Sequence, residues 1–342
     1  RTAKPFTFKN GYDQILPYAE CENLGLYVHI PFCKSICNFC PYCKVRYSAE
    51  LCNRYIDSLI QEIHIVGSQH AEHRKATSLY FGGGTPALAA NRIKEIVNAL
   101  SEHFIITEGI GLELHPDNVN VETLQMLKDA GVTKISIGIQ SFCDKYQKIL
   151  GRKKIDTAEM MSALSAVSFE TVSMDFIFAL PGQTYDDLKS DIDTAFLLGA
   201  NHVAIYPFID FTFTESPVTA MPKKDKRELL DAITQYCLGK GYSRNSIWTF
   251  SSGTDANYSS MTRDNFLGFG CSATSLFKEQ FKINTFDVDS YCERIRSGNL
   301  ATSLTIRFTK RQRMVYWLFW TAYSTRVTAE DFEKFFGVSL KK

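Results

Sequence analysis

The sequence has almost no net charge. Lysine and arginine number 38 against 37 aspartates and glutamates, which leaves +1 at neutral pH, so no general attraction to nucleic acid or to an anionic membrane is expected. No apolar run approaches the twenty residues that a membrane span needs, and the first residues lack the charged, apolar and cleavage-site succession of a secretion signal. The expectation is a cytoplasmic protein with no membrane span and no nucleic-acid partner. Ten cysteines in 342 residues are too few for a disulfide scaffold. At 45% hydrophobic composition the chain can bury one sizeable core and a smaller one beside it.

Four of the ten cysteines crowd into one stretch, Tyr27 to Cys43, at Cys33, Cys37, Cys40 and Cys43. The first three are spaced Cys-x3-Cys-x2-Cys directly after an apolar run. Three thiolates on one loop can each take one iron of a cubane cluster, leaving the fourth iron open to a small molecule. A zinc knuckle completed by Cys43 is the competing reading, although zinc sites usually draw ligand pairs from separated hairpins. The other six cysteines, Cys21, Cys52, Cys143, Cys237, Cys271 and Cys292, read as small core residues.

Residues 24–30 read as a strand, and residues 48–67 as an amphipathic helix behind a Ser48 cap. The unit recurs. Strands are expected at 78–81, 111–114, 134–139, 172–180 and 203–208, with helices near 91–103, 122–130, 144–150 and 185–198, the last capped by Thr184. Six alternating strands imply a parallel sheet with right-handed crossovers, and functional residues at its C-terminal edge. Beyond residue 210 the pattern changes to a loop at 211–221, a helix at 224–239, an added strand at 242–250, a glycine-rich segment at 268–273, a helix at 289–296, and two helices near 311–323 and 328–336. The division expected is an irregular lead-in at 1–23, a core at 24–210, an extension at 211–300, and the start of a small helical domain at 301–342 that is expected to be incomplete.

Several polar residues sit where such a sheet would hold a ligand. Gly82-Gly83-Gly84-Thr85-Pro86 closes the second strand, where backbone can approach a ligand closely, or simply turn tightly. Glu113 ends the third strand, Gln140 the fourth, and Asp175 interrupts an apolar fifth, where a charge rarely stands without a partner. Arg152 follows a helix and suits a bidentate grip on a carboxylate, or a solvated position.

Cys-x3-Cys-x2-Cys with Phe39 before the third cysteine resembles the radical S-adenosylmethionine (SAM) superfamily. The lead-in Tyr27-Val28-His29-Ile30-Pro31-Phe32 resembles its branch of oxygen-independent coproporphyrinogen III oxidases and HemW-like haem chaperones. The resemblance implies an α/β fold, an open six-stranded (β/α)6 partial TIM barrel with a smaller C-terminal α/β and helical region ending in a winged-helix-like module. It implies a [4Fe-4S] cluster on Cys33, Cys37 and Cys40, and SAM held by Gly82, Gly83, Gly84, Thr85, Glu113, Gln140, Arg152 and Asp175. Tyr27 resembles the family tyrosine packed at cluster and substrate. The implied chemistry is reductive cleavage of SAM to a 5'-deoxyadenosyl radical that abstracts hydrogen from a small-molecule substrate, with a flavodoxin- or ferredoxin-type electron donor.

The branch member is less defined. A tetrapyrrole substrate, as in coproporphyrinogen III oxidation, is the first expectation; methyl transfer and haem degradation are alternatives, and a non-catalytic HemW-type haem carrier is the alternative of another class. Ala256-Asn257-Tyr258-Ser259-Ser260-Met261 departs from the chaperone's His-Asn-x-x-Tyr-Trp motif, and Tyr258-Ser259 from the oxidases' Phe-Gln pair for a second SAM. Cys43 lies three residues after Cys40 where the oxidases have a two-residue step, which makes it a spare thiol. In the pattern Asp-Leu-Ile-x-Gly-Leu-Pro, this chain has Ala179 for glycine. Tyr206, Phe208, Phe211 and Phe213 suggest a planar ligand's entrance or an apolar lid.

Overall fold

The computed structural model describes residues 7–10, 14–211, 214, 218–253 and 264–340. The 256–261 motif and Phe213 lie outside these residues. Six parallel strands stand side by side in chain order: β1 (Leu24–Ile30), β2 (Ser78–Gly83), β3 (Ile110–Leu114), β4 (Lys134–Gln140), β5 (Thr171–Phe178) and β6 (His202–Pro207). Their apolar residues are buried on both faces, as parallel strands require. The helices between them have the caps that the sequence suggests. Ser48 accepts from the Leu51 amide at the start of α1 (Ala49–Gly67), and Thr184 forms a reciprocal capping box with Asp187 at α6 (Tyr185–Leu197). Between these lie α2 (Ala90–Ser101), α3 (Val121–Asp129), α4 (Asp144–Ile149) and α5 (Thr157–Ala166). The last is absent from the sequence reading, because only Met160 and Ala163 of α5 are buried and its apolar stripe is narrow.

After β6 come α7 (Lys223–Gly239), then β7 (Ser243–Arg244) and β8 (Thr249–Ser251), two short antiparallel strands in place of the single one expected at 242–250. The glycine-rich segment begins inside a strand, β9 (Asn265–Phe269), which lies parallel to β1 with Leu24 opposite Asn265 and Val28 opposite Phe269. The chain thus adds a seventh parallel strand beside its first. An antiparallel run follows: β10 (Thr274–Phe277), β11 (Gln280–Asn284) and, after α8 (Val288–Arg296), β12 (Thr302–Arg307). The hydrogen-bonded order is linear over all twelve strands, with β7 and β12 at the two ends. Two helices, α9 (Lys310–Ala322) and α10 (Ala329–Phe336), pack on each other through Trp317 and Phe332.

A buried polar cluster ties the added strands to the first unit. Tyr55 of α1 donates to the His29 carbonyl at 2.6 Å and accepts from the Cys271 amide at 2.9 Å. Glu62, on the same helix, accepts from the Gly270 amide and the Tyr291 hydroxyl, each at 2.7 Å, and from Asn284 Nδ2 at 3.0 Å. Burial raises the Glu62 carboxyl, and the buried Lys282 ammonium, itself pushed down to about 8, opposes that rise. No helix among the described residues is long and apolar enough to cross a membrane.

Candidate active site

On three strands whose other residues are all buried, one residue each remains partly open: Tyr27 on β1, Glu113 on β3 and Asp175 on β5. A partly open polar residue on an otherwise buried apolar strand is an informative position, and these three mark one region of the sheet as the candidate binding hollow. They feel one another. Burial and then the Asp175 charge push the Glu113 carboxyl up to about 7, and burial pushes Asp175 up to about 6. Glu113 accepts from Tyr80 at 3.1 Å and from the Gly83 amide at 3.2 Å. Asp175 accepts from Ser136 at 2.7 Å and Ser173 at 3.2 Å. The Tyr27 ring stacks on Tyr80, and its hydroxyl meets His29 Nδ1 at 3.0 Å. Burial first, and then the Glu113 charge, keep that phenol protonated.

The cysteine loop lies across the C-terminal end of these strands. A two-residue parallel ladder joins Phe32–Cys33 to Val45–Arg46 and closes the loop at its base. Cys33, Cys37, Cys40 and Cys43 are all half-buried. Thr85 Oγ1 approaches Cys33 Sγ at 3.9 Å. Burial pushes the Cys33 thiol up to about 11 and raises Cys40, so binding a metal there must displace protons. Among the described residues, no three of these sulfurs lie within 4.8 Å of one another. Ligands of a tetrahedral zinc with Zn–S of about 2.3 Å stand only about 3.8 Å apart. The donor set fits a larger group that gives each sulfur its own iron. Cys43 turns elsewhere, donating to the Phe286 carbonyl at 3.4 Å, while the Cys271 thiol that bonds to it lowers its proton affinity.

Arg152 reaches the loop from the other side. Its Nε donates to Cys37 Sγ at 3.5 Å, its Nη1 to the Gly138 carbonyl, and its guanidinium lies 5.6 Å from the Phe39 ring centre. Gln140 ends β4 with φ of 71°, and its Nε2 and Arg152 Nη2 both lie over Gly138, 3.0 and 3.9 Å from where a Cβ there would stand. Ala179 is also left-handed, with φ of 62°.

The three glycines have a reason beyond ligand access. The amides of Gly83, Gly84 and Thr85 are taken by Glu113, by the Ile30 carbonyl at 2.9 Å and by the Phe32 carbonyl at 2.8 Å. A Cβ on Gly84 would stand 2.6 Å from the Phe32 carbonyl oxygen, and one on Gly82 3.0 Å from the Tyr27 hydroxyl. Glycine lets the second strand end seat against the root of the cysteine loop. Of the aromatics near residue 210, Phe208 is buried with Tyr146, Leu150 and Leu180 in a cluster that Phe39 joins, whereas Tyr206 is exposed.

Sequence reasoning missed the supporting residues. Tyr80, Ser136 and Ser173 each stand on a strand at the spacing that turns them toward the same hollow as their acid. Asp191 is buried and accepts from Ser141 and the Phe142 amide, each at 2.7 Å, which fixes the turn after Gln140. The signal for it was an acid on the inner face of α6.

A loop of closely spaced cysteines beside two partly buried acids on parallel strands is the arrangement of a radical SAM domain, and the Radical SAM superfamily model matches residues 27–195. Within that superfamily the chain is similar to HemN and HemW-like proteins. It is 31% identical over 236 residues to the heme chaperone HemW of Lactococcus lactis subsp. lactis, covering 66% of this chain and 61% of that relative. It is 25% identical over 312 residues to the oxygen-independent coproporphyrinogen III oxidase of Pseudomonas aeruginosa, covering 81% and 67%. The fold matches the coproporphyrinogen III oxidase HemN of Escherichia coli with a TM-score of 0.80 at 22% identity, over 92% of this chain and 79% of that one. The match to the first of these relatives spans about three-fifths of its length. A radical SAM domain takes a [4Fe-4S] cluster and SAM, and the loop and hollow fit both.

Proposed function

We propose that the chain is a radical SAM oxidoreductase acting on a small organic substrate, with a tetrapyrrole of the coproporphyrinogen class as the first candidate. The observation that carries this reading is the row of polar residues Tyr27, Glu113 and Asp175 on strands that bury everything else. Cys33, Cys37 and Cys40 would hold the cluster. Together with SAM it supplies a one-electron cleavage that starts hydrogen abstraction. The protein's own part is to bind and orient. Glu113 and Asp175, once ionised, match the positive charge of SAM, with Gln140 offering a donor and an acceptor and Arg152 a cation beside Cys37. Burial removes competing water and strengthens each of these contacts. A flavodoxin- or ferredoxin-type protein would deliver the electron.

The test is mass spectrometry of SAM-derived products after anaerobic cluster loading, with dithionite, SAM and coproporphyrinogen III. Substrate-stimulated 5'-deoxyadenosine with loss of carboxyl groups is expected, and S-adenosylhomocysteine in addition would redirect the reading to methyl transfer. A haem carrier is the second reading, favoured by the likeness to a heme chaperone. It predicts tight haem binding, and no substrate-dependent SAM cleavage by protein with a verified reducible cluster.

A further inference from the structure

Four of the seven histidines, His64, His70, His73 and His103, fall between residues 64 and 103. They gather at the end of the sheet away from the cysteines. Helix α1 begins next to the cysteine loop and runs back along the strands for nineteen residues, so its last turn is about 25 Å from its first. In that last turn His64 faces His103, with Nδ1 and Nε2 3.1 Å apart and the rings at 73°. Glu102 places Oε2 3.8 Å from the same His64 nitrogen. Among the described residues, this is the only group of three His, Cys, Asp or Glu whose ligand atoms all lie within 4.8 Å of one another.

The group is shaped by the backbone around it. The His103 ring fills the notch over Gly67, where a Cβ would stand 2.2 Å from the ring carbon Cγ. Glu102 caps α2 with its amide on the Asn98 carbonyl. Two imidazoles and a carboxylate form a donor set used by zinc, and imidazole disfavours magnesium and calcium.

We propose that His64, Glu102 and His103 form a site for a divalent transition metal of the zinc type, joining the C-terminal ends of α1 and α2, with water as the fourth ligand. Bond lengths of about 2.0–2.1 Å set tetrahedral ligand atoms about 3.3–3.4 Å apart. The two nitrogens therefore open by a few tenths of an ångström and the carboxylate closes by a similar amount. Both movements are side-chain torsions at half-buried and exposed residues. In the metal-free protein one imidazole N–H donates to the other.

The experiment uses tag-free protein whose cysteine loop has first been loaded anaerobically with iron and sulfide. It is exposed to a small excess of Zn2+, passed through gel filtration, and its zinc and iron are counted by plasma mass spectrometry. One zinc per chain is expected in addition to the iron, together with a rise in Tm. His64→Gln and Glu102→Gln should each weaken zinc retention at least tenfold with iron content unchanged. Glu102 is exposed, so its variant keeps the test valid should a histidine variant fail to fold. No zinc on iron-loaded protein would overturn the site, as would equal retention by the wild type and both variants.

Discussion

Arg152 Nε donates to Cys37 Sγ at 3.5 Å while the same guanidinium lies over Phe39. One cation thus touches two residues of the cysteine loop and, through Gly138, the end of β4. With a cluster on Cys37, as proposed above, a positive donor on that sulfur would favour the reduced, more negative state. Arg152→Met is expected to lower the midpoint potential on the order of 50 mV, measured by anaerobic redox titration followed by electron paramagnetic resonance. An unchanged potential would place Arg152 outside the electrostatics of the cluster.

The two acids carry a pH signature. Glu113 and Asp175 both hold their protons more tightly folded than unfolded, so stability falls as pH rises, over about 3.8 to 6 for Asp175 and 4.5 to 7 for Glu113. Glu113→Gln should flatten the fall of Tm with pH across that window. SAM, being positively charged, favours the ionised acids, so its affinity should rise as pH passes through 6 to 7 and be cut about tenfold or more by Glu113→Gln. An affinity flat with pH in the wild type would remove Glu113 from the SAM site.

Two backbone positions should respond in opposite ways. Ala179 sits at φ of 62°, where a Cβ costs about 1–2 kcal/mol. Ala179→Gly relieves that cost against up to about 1 kcal/mol of added unfolded-state freedom, so the result is neutral to about 1 kcal/mol stabilising by urea titration. Gly84→Ala drives a Cβ to 2.6 Å from a backbone oxygen that cannot rotate away. A loss of at least about 2 kcal/mol is expected, with poor iron incorporation.

Behind the first strand Asn284 stands between two buried charges, accepting from Lys282 Nζ at 3.3 Å and donating to Glu62 at 3.0 Å. Removing the cation alone, as Lys282→Met, takes away the charge that opposes the rise of the Glu62 carboxyl and leaves Asn284 Oδ1 without its donor, and should cost about 1–3 kcal/mol at neutral pH. The double variant Glu62→Gln, Lys282→Met should lose clearly less. A double-variant loss equal to the sum of the single losses would show that the two groups are not coupled.

What could be read in advance was whatever local chemistry dictates. The Ser48 and Thr184 caps, the alternation from β1 to β6, and the acids at 113 and 175 follow from spacing and from the cost of placing charge in an apolar strand. What could not be read depends on neighbours distant in sequence. The glycines at 83 and 84 look like ligand contacts until the carbonyls of Ile30 and Phe32 are seen to take the amides of Gly84 and Thr85. β9 is only five residues long and carries Gly268, so nothing local marks it as the strand that pairs with β1. Ser136 and Ser173 are ordinary strand residues until Asp175 is placed between them.

That late pairing sets a timetable for synthesis. The cysteine loop leaves the ribosome about 230 residues before β9, on the order of ten to fifty seconds at ordinary elongation rates. Until then one edge of β1 has no partner, and the Glu62 carboxylate waits for Gly270, Asn284 and Tyr291. A strand completed so late belongs to a slow-folding, high-contact-order chain. Iron delivered early would meet thiols on a loop whose root is still free to move.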